Sequence, residues 1–499
     1  MKNYTLLLLG WCCSVIMNAQ VYDIVVAKDG TGNYTTIQAA IDAVPTGTTR
    51  KTIFVKKGVY NEKILIGTIS ASVSKVISLI GENRDSVSIT WNETGSSSPT
   101  LGVNASDFYM ENVTVVNTVT SAAALAVYNL ADRQTFKNCR FVGFQDTHRL
   151  KKGRRYFFYT CQIEGGTDFI YAGGTAYFYQ CTIKSLSGGH YITAPEDIIY
   201  TASLPSGETL YYGFIFKDCD LINDGAVSNN SVYLGRPWQP TCGSIFMNCR
   251  LGNHVSSAGW SEWSGTTNHQ TAFFAEYNSL NADGSALADV SQRVSWSYQL
   301  SESEVNNYLL LSQVYTAGGF STATTYNPVP LVIAPAPVDH VTTNGQVISW
   351  PAVSDVKGYV VYANGSVIGL TDSTAYADTA SYDTIPVYTI RTVGSHGNLS
   401  LPDGWIDTVT ETSIKDVINT VHTDIESKKY SKEALLVAND NLLFQELTDC
   451  TVYNLCGQLM ASGKQVTTMS LSQLPEGVYL VNASDRLNGG YFAKIQYIK

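Results

Sequence analysis

Between residues 110 and 251 short apolar–polar alternations recur in one phase: "MENVTV" (110–115), "FKNCRF" (136–141), "FFYTCQI" (157–163), "FYQCTI" (178–183), "FKDCDL" (216–221) and "FMNCRL" (246–251). A period of two predicts short strands with one face inward and one outward. Aligned on Val113, Cys139, Cys161, Cys181, Cys219 and Cys249, the copies step by 26, 22, 20, 38 and 30 residues. Units this small cannot bury their apolar faces alone, so the repeat predicts a solenoid. No helical pattern of ten residues falls between the first five copies. That disfavours leucine-rich or βαβ units and favours an all-β parallel β-helix, with the shared cysteines as an inward column of small hydrophobes.

The pattern changes at both ends. In "NYTTIQAAIDAVP" (33–45), Ile37, Ala40, Ile41 and Val44 fall on one helical stripe that Pro45 ends. Such a helix would cover the open edge of the first coil. "NPVPLVIAPAPVDH" (327–340) reads as a proline-rich linker. "VISWPAVSDVKGYVVYANGSVIG" (347–369) alternates and turns at Asn364-Gly365. With "PVYTIRTVGSHGNLS" (386–400) it resembles a fibronectin type III-like sandwich. The expected order is a leader over 1–20, the β-helix over 21–327, a small β-sandwich over 328–405, a polar linker over 406–432 and a C-terminal β-rich domain over 433–499.

Composition narrows the class. Only 15% of residues are charged and the formal net charge is −10, so the basic footprint of a nucleic-acid binder is absent. "MKNYTLLLLGWCCSVIMNAQ" has a positive start, a short apolar stretch and a small-residue end, which predicts a secretory leader. Its apolar core is too short for a membrane span, and Trp11 fits poorly before a lipid-modified Cys12. The mature chain is therefore expected outside the cytoplasm, at the cell surface or extracellular, with the periplasm as the alternative.

Two aspartates share a phase. Asp146 in "GFQDTHRL" and Asp168 in "GGTDFIYAGG" each lie seven residues past a column cysteine, 22 residues apart. On consecutive coils this stacks them about 4.8 Å apart at the backbone. Two like charges at ~5 Å and an effective dielectric of ~20 repel by roughly 3 kcal/mol, so one should stay protonated beside the other's carboxylate. Asp168 opens an apolar strand and needs a cation, for which Arg236 in "YLGRPW" is the candidate. Asp168 is thus the expected nucleophile, Asp146 the general acid and then base, and Gln145 an oxyanion donor. A lone aspartate here would more simply be a turn residue.

At these residues the chain resembles the pectin methylesterases, over roughly residues 22–305. The likeness runs through "VAKDGTGNYTTIQAAI" (26–41), "GVYNEK" (58–63), "GFQDT" (143–147), "GTDFIYAG" (166–173), "YLGRPW" (233–238), "AGWSEW" (258–263) and "FFAEY" (273–277). The resemblance implies a right-handed parallel β-helix that removes methyl esters from homogalacturonan, needing no metal or cofactor. It places nucleophile, acid/base, oxyanion glutamine and orienting arginine on Asp168, Asp146, Gln145 and Arg236, and aromatic subsites on Phe169, Tyr171 and Trp238. Two departures stand out. Ala123 replaces a second glutamine, and "DTHRL" replaces the usual "DTLY", adding His148 and Arg149, which either meet free carboxylates of pectin or are solvated turn residues. The last fifty residues resemble type IX secretion sorting domains, which implies the secretion machinery as a partner.

Two other readings stay open at this point. Carboxylates ~5 Å apart also suit a retaining glycosidase, so another β-helix pectin enzyme, a polygalacturonase or lyase, is a rival. Ala123 allows an inactive pectin-binding homologue. A serine esterase is disfavoured, since no G-x-S-x-G elbow occurs.

Overall fold

The computed structural model describes residues 21–316, 320, 325–382 and 386–400, and strand segments between 435 and 497. The expected leader and the polar linker lie outside the described residues. Three long parallel sheets run the length of the N-terminal unit, with 11, 8 and 7 strands, and successive coils add one strand to each. This is the β-helix that the repeat predicts.

The repeat frame has a structural cause at one corner. Asn112, Asn138, Thr160, Gln180, Asp218 and Asn248, each just before the aligned position, all take a left-handed conformation with φ between 47° and 59°. Asn and Asp tolerate that region best among residues with a Cβ, which explains the polar position in each copy. Each cysteine then turns inward and its thiol donates to the carbonyl two residues back, at 3.4 Å for Cys139, Cys219 and Cys249 and 3.5 Å for Cys161 and Cys181. All five are free thiols in the core, as the column reading expects. Beside them Phe136, Phe158, Phe178, Phe216 and Phe246 stack with centroids 5.0, 4.6, 4.5 and 4.3 Å apart. Stacking between identical rungs supplies aromatic contact beyond simple burial.

The helix Ile37–Ala43 caps the first coil and buries Ile37, Ala40 and Ile41 against it. The Glu62 carboxylate accepts from the amides of Ile37 and Gln38 at the positive end of this helix, both at 3.0 Å. The outer face of the 11-stranded sheet is covered by the helices Glu302–Tyr308 and Leu311–Thr316 and by the proline-rich stretch. That stretch is not a free linker. Val329 and Val332 are buried, and the Tyr326 hydroxyl donates to the Gln134 carbonyl at 2.9 Å.

Residues 342–393 form two three-stranded antiparallel sheets around Ile348, Trp350, Tyr359, Val361 and Ile390. Their hairpin turns at Asn364 (φ 48°) and Gly365 (φ 75°), the paired positive φ of a type I′ turn. The unit packs on the first coils through Tyr362 and Val360, and Glu82 accepts from the Val367 amide at 2.8 Å. Strands between Leu435 and Tyr497 form a further five-stranded antiparallel sheet.

Candidate active site

The seven-stranded sheet carries the candidate chemistry on its outer face. Its strands run in the order Tyr233–Gly235, Tyr191–Pro195, Thr167–Ala172, His148–Leu150, Val127–Asn129, Leu101–Val103 and Ile64–Ile66. Bridges Ala123↔Gln145 and Gln145↔Thr167 align three successive coils. Asp146 and Asp168 therefore occupy neighbouring rungs, each one residue past the aligned pair.

Both aspartates are left-handed, at φ 64° and 49°. Asp146 sits at a bend and Asp168 at an irregularity inside the strand Thr167–Ala172, and neither spends its carboxylate on backbone amides. Both Asp168 oxygens accept from Arg236, from Nε at 2.9 Å and from Nη2 at 2.6 Å, the fork geometry of a strong charge-assisted pair. Asp146 has no hydrogen-bonding side-chain partner among the described residues. The side-chain amide of Gln145 is likewise unengaged and partly exposed.

The electrostatics separate the two carboxyls. Burial pushes Asp146 up to about 6; the neighbouring Asp168 charge adds to the rise, while Arg149 and Arg236 oppose it. Burial also raises Asp168, which is 6% exposed, and Arg236 opposes that rise. Desolvation thus outweighs the mutual repulsion that sequence reasoning put first, and it raises both carboxyls. Arg236 opposes the rise at Asp168 through a direct hydrogen-bonded pair, whereas Asp146 lacks such a partner among the described residues and holds a proton into the mildly acidic range.

Arg236 follows the strand Tyr233–Gly235, and its amide donates to the Thr193 carbonyl at 3.0 Å. Gly235 is needed for that approach, since a Cβ there would sit 2.0 Å from Thr193 Oγ1. The guanidinium lies between two rings, 3.9 Å from the Tyr191 centroid and 4.2 Å from that of Trp263. Cation–π contact on both faces fixes its plane against Asp168. Sequence reasoning missed Tyr191 and Trp263 as parts of the site, although Trp263 ends the quoted "AGWSEW" motif.

The aromatic candidates divide. Trp238 is partly exposed, 6.1 Å from Tyr171 and 6.5 Å from Trp263 by centroid. Tyr171 is 5% exposed and forms the floor of that cluster with Tyr128 and Leu125. Phe169 does not belong to it. It is fully buried in the main core, so it presents no face to a sugar. The left-handed Asp168 and the register irregularity between Thr167 and Ile170 turn the Phe169 ring inward, where Gly165 leaves it room.

His148 fits neither expectation offered for it. It is fully buried, with Nε2 2.5 Å from Asn129 Oδ1 and its ring edge-on to Phe141 and Phe158. Burial depresses its pKa to about 3, so it is a neutral core residue. Arg149, next in the strand, faces outward. Ala123 sits one rung from Gln145, where the missing second amide would have been its neighbour.

Comparison with known proteins identifies the family and the fold. The pectinesterase family model matches residues 23–317. Putative pectinesterase 11 of Arabidopsis thaliana is 32% identical over 290 residues, 57% of this chain and 76% of its own length. Probable pectinesterase A of Aspergillus fumigatus is 33% identical over 277 residues, 52% of this chain and 79% of its own length. Among solved structures, the pectin methylesterase from carrot superposes with a TM-score of 0.53 at 27% identity, covering 61% of this chain and 97% of that one. With a family match across more than half of its length, the chain belongs to the pectinesterase family, the carboxylic ester hydrolases of pectin.

Proposed function

We propose that this site hydrolyses the C6 methyl ester of galacturonate in homogalacturonan by double displacement at Asp168. The observation that carries the roles is the unequal pair: a carboxylate bound by Arg236 beside a carboxyl raised to about 6. The Asp168 oxygen attacks the ester carbonyl carbon, and the carbonyl electron pair moves to oxygen, where the Gln145 amide can donate a hydrogen bond. The tetrahedral species collapses, and methanol leaves with the proton of Asp146. Asp146, now a carboxylate, takes a proton from water. The resulting hydroxide attacks the acyl-enzyme, releasing galacturonate and restoring Asp168. Water and ester go in, and methanol, carboxylate and one proton come out. Arg236, clamped by Tyr191 and Trp263, keeps Asp168 ionised and aimed, and partly exposed Trp238 offers a stacking surface for a sugar ring.

The appended β units support export and surface presentation. We read residues 342–400 as a fibronectin-like sandwich and the last sheet as a sorting domain, in keeping with a secreted enzyme whose C-terminal domain meets the secretion machinery.

The test is product analysis on highly methylated pectin. Methanol release without new reducing ends or an unsaturated uronide chromophore supports the esterase. Chain cleavage would replace it with a glycosidase or lyase, and pectin binding without methanol would make the protein an inactive homologue.

A further inference from the structure

On the outer face of the site sheet, Tyr128, Arg149 and Tyr171 form one transverse row, in strict register across three strands. The Arg149 guanidinium lies 4.6 Å from the Tyr128 ring centroid and 5.8 Å from that of Tyr171. One bond, from Nη1 to the Ser96 carbonyl at 2.6 Å, anchors it across the coils. Among the described residues Arg149 has no ion-pair partner, and its Nε is buried without a hydrogen-bond acceptor. Its field nevertheless reaches the site, where it acts on both Asp146 and Glu196.

A guanidinium fixed on two rings, with Nη1 spent on Ser96 and Nε buried, keeps Nη2 and its positive charge for an anion. A fully methylated chain offers none, because every carboxyl is esterified. The reaction itself supplies one, since each turnover leaves a free carboxylate on the polymer. In a chain of net charge −10, beside two aspartates, such a polyanion is otherwise repelled.

We propose that Arg149 is a specificity-determining residue that binds the free carboxylate of a galacturonate near the scissile ester, so that the enzyme favours chains already partly de-esterified. The inference rests on the pectinesterase reading of the site. The occupant is a carboxylate of the same polysaccharide, held by the remaining Arg149 nitrogen, Nη2, and packed against the rim of the Tyr128–Tyr171 row.

The test compares kcat/KM for methanol release on fully methylated and on partly de-esterified oligogalacturonates, in wild type, Arg149→Gln and Arg149→Lys. Expected is a fall of about tenfold in the partly-to-fully esterified ratio for Arg149→Gln, carried by KM, because a charge-assisted hydrogen bond is lost. Arg149→Lys should keep part of the preference, and high salt should compress it in wild type. An unchanged ratio, whatever the absolute rates, would overturn the proposal and leave Arg149 acting only through Asp146. Should wild type release no methanol from either substrate, the catalytic reading fails instead. Calorimetry with fully de-esterified oligogalacturonate then decides the subsite: about tenfold weaker binding by Arg149→Gln supports it, and equal or absent binding overturns it.

Discussion

Asp146 should cost the fold stability at neutral pH, and replacing it should restore that stability while destroying catalysis. Its carboxyl rises from an ordinary 3.8 to about 6 in the folded state, with burial as the main cause. Between those two values the native protein keeps a proton that the unfolded chain has lost, so stability falls as pH rises through this window. Below 3.8 the effect is absent, and above 6 it is complete. At 1.36 kcal/mol per pH unit the full penalty is roughly 2–3 kcal/mol once screening at a partly exposed site is allowed for. Asp146→Asn is the suitable perturbation, because asparagine also accepts the left-handed φ of 64°. It removes the titrating charge and lets Asp168 ionise more readily, which acts in the same direction. Thermal unfolding of both proteins from pH 4 to pH 8 should show near-equal midpoints at the acid end. The variant should melt roughly 3–5 °C higher at pH 7. His148 is common to both proteins, so its own acid response cancels in the difference. A gap that stays constant with pH, or that favours the wild type as pH rises, would refute the unequal-pair electrostatics.

Further outcomes follow from the same geometry. Asp168→Asn should reduce methanol release by several orders of magnitude, because the nucleophile and the Arg236 pair are lost together; retention of most activity would end the nucleophile assignment. Ala123→Gln adds an amide one rung from Gln145, and steady-state kinetics should show an unchanged or higher kcat. His148 stays neutral to about pH 3 when folded but titrates near 6.5 when unfolded, so it destabilises the protein as pH falls through that window; His148→Leu should lessen the drop in thermal midpoint between pH 7 and pH 4. Thr160 is a β-branched residue at φ 51° in a corner otherwise dominated by Asn and Asp, so Thr160→Asn should raise the midpoint, by about 1 kcal/mol or less in unfolding free energy.

Much of this molecule can be read from its sequence because a solenoid writes its geometry as spacing. The cysteine frame marks a left-handed corner repeated on the coils from Asn112 to Asn248, and the 22 residues between Asp146 and Asp168 are one such coil. Arg236 follows from the need of a nearly buried carboxylate for a cation. Side-chain direction was less legible. The strand that holds His148 has only three residues and begins two positions after a left-handed aspartate, so alternation cannot say which face His148 takes. Phe169 fails for the same reason, since the register irregularity at Asp168 breaks the period of two just where the pattern would be applied. The clamp on Arg236 was hidden because Tyr191 and Trp263 come from separate coils, brought together only by tertiary stacking.

The most direct measurement is to trap the acyl-enzyme with hydroxylamine during turnover of methylated pectin and locate the product by mass spectrometry. Substrate-dependent hydroxamate on the peptide carrying Asp168, absent from Asp168→Asn, is the predicted result. Modification confined to Asp146, or methanol release with hydroxamate neither on Asp168 nor on the galacturonate carboxyl, would contradict the double displacement.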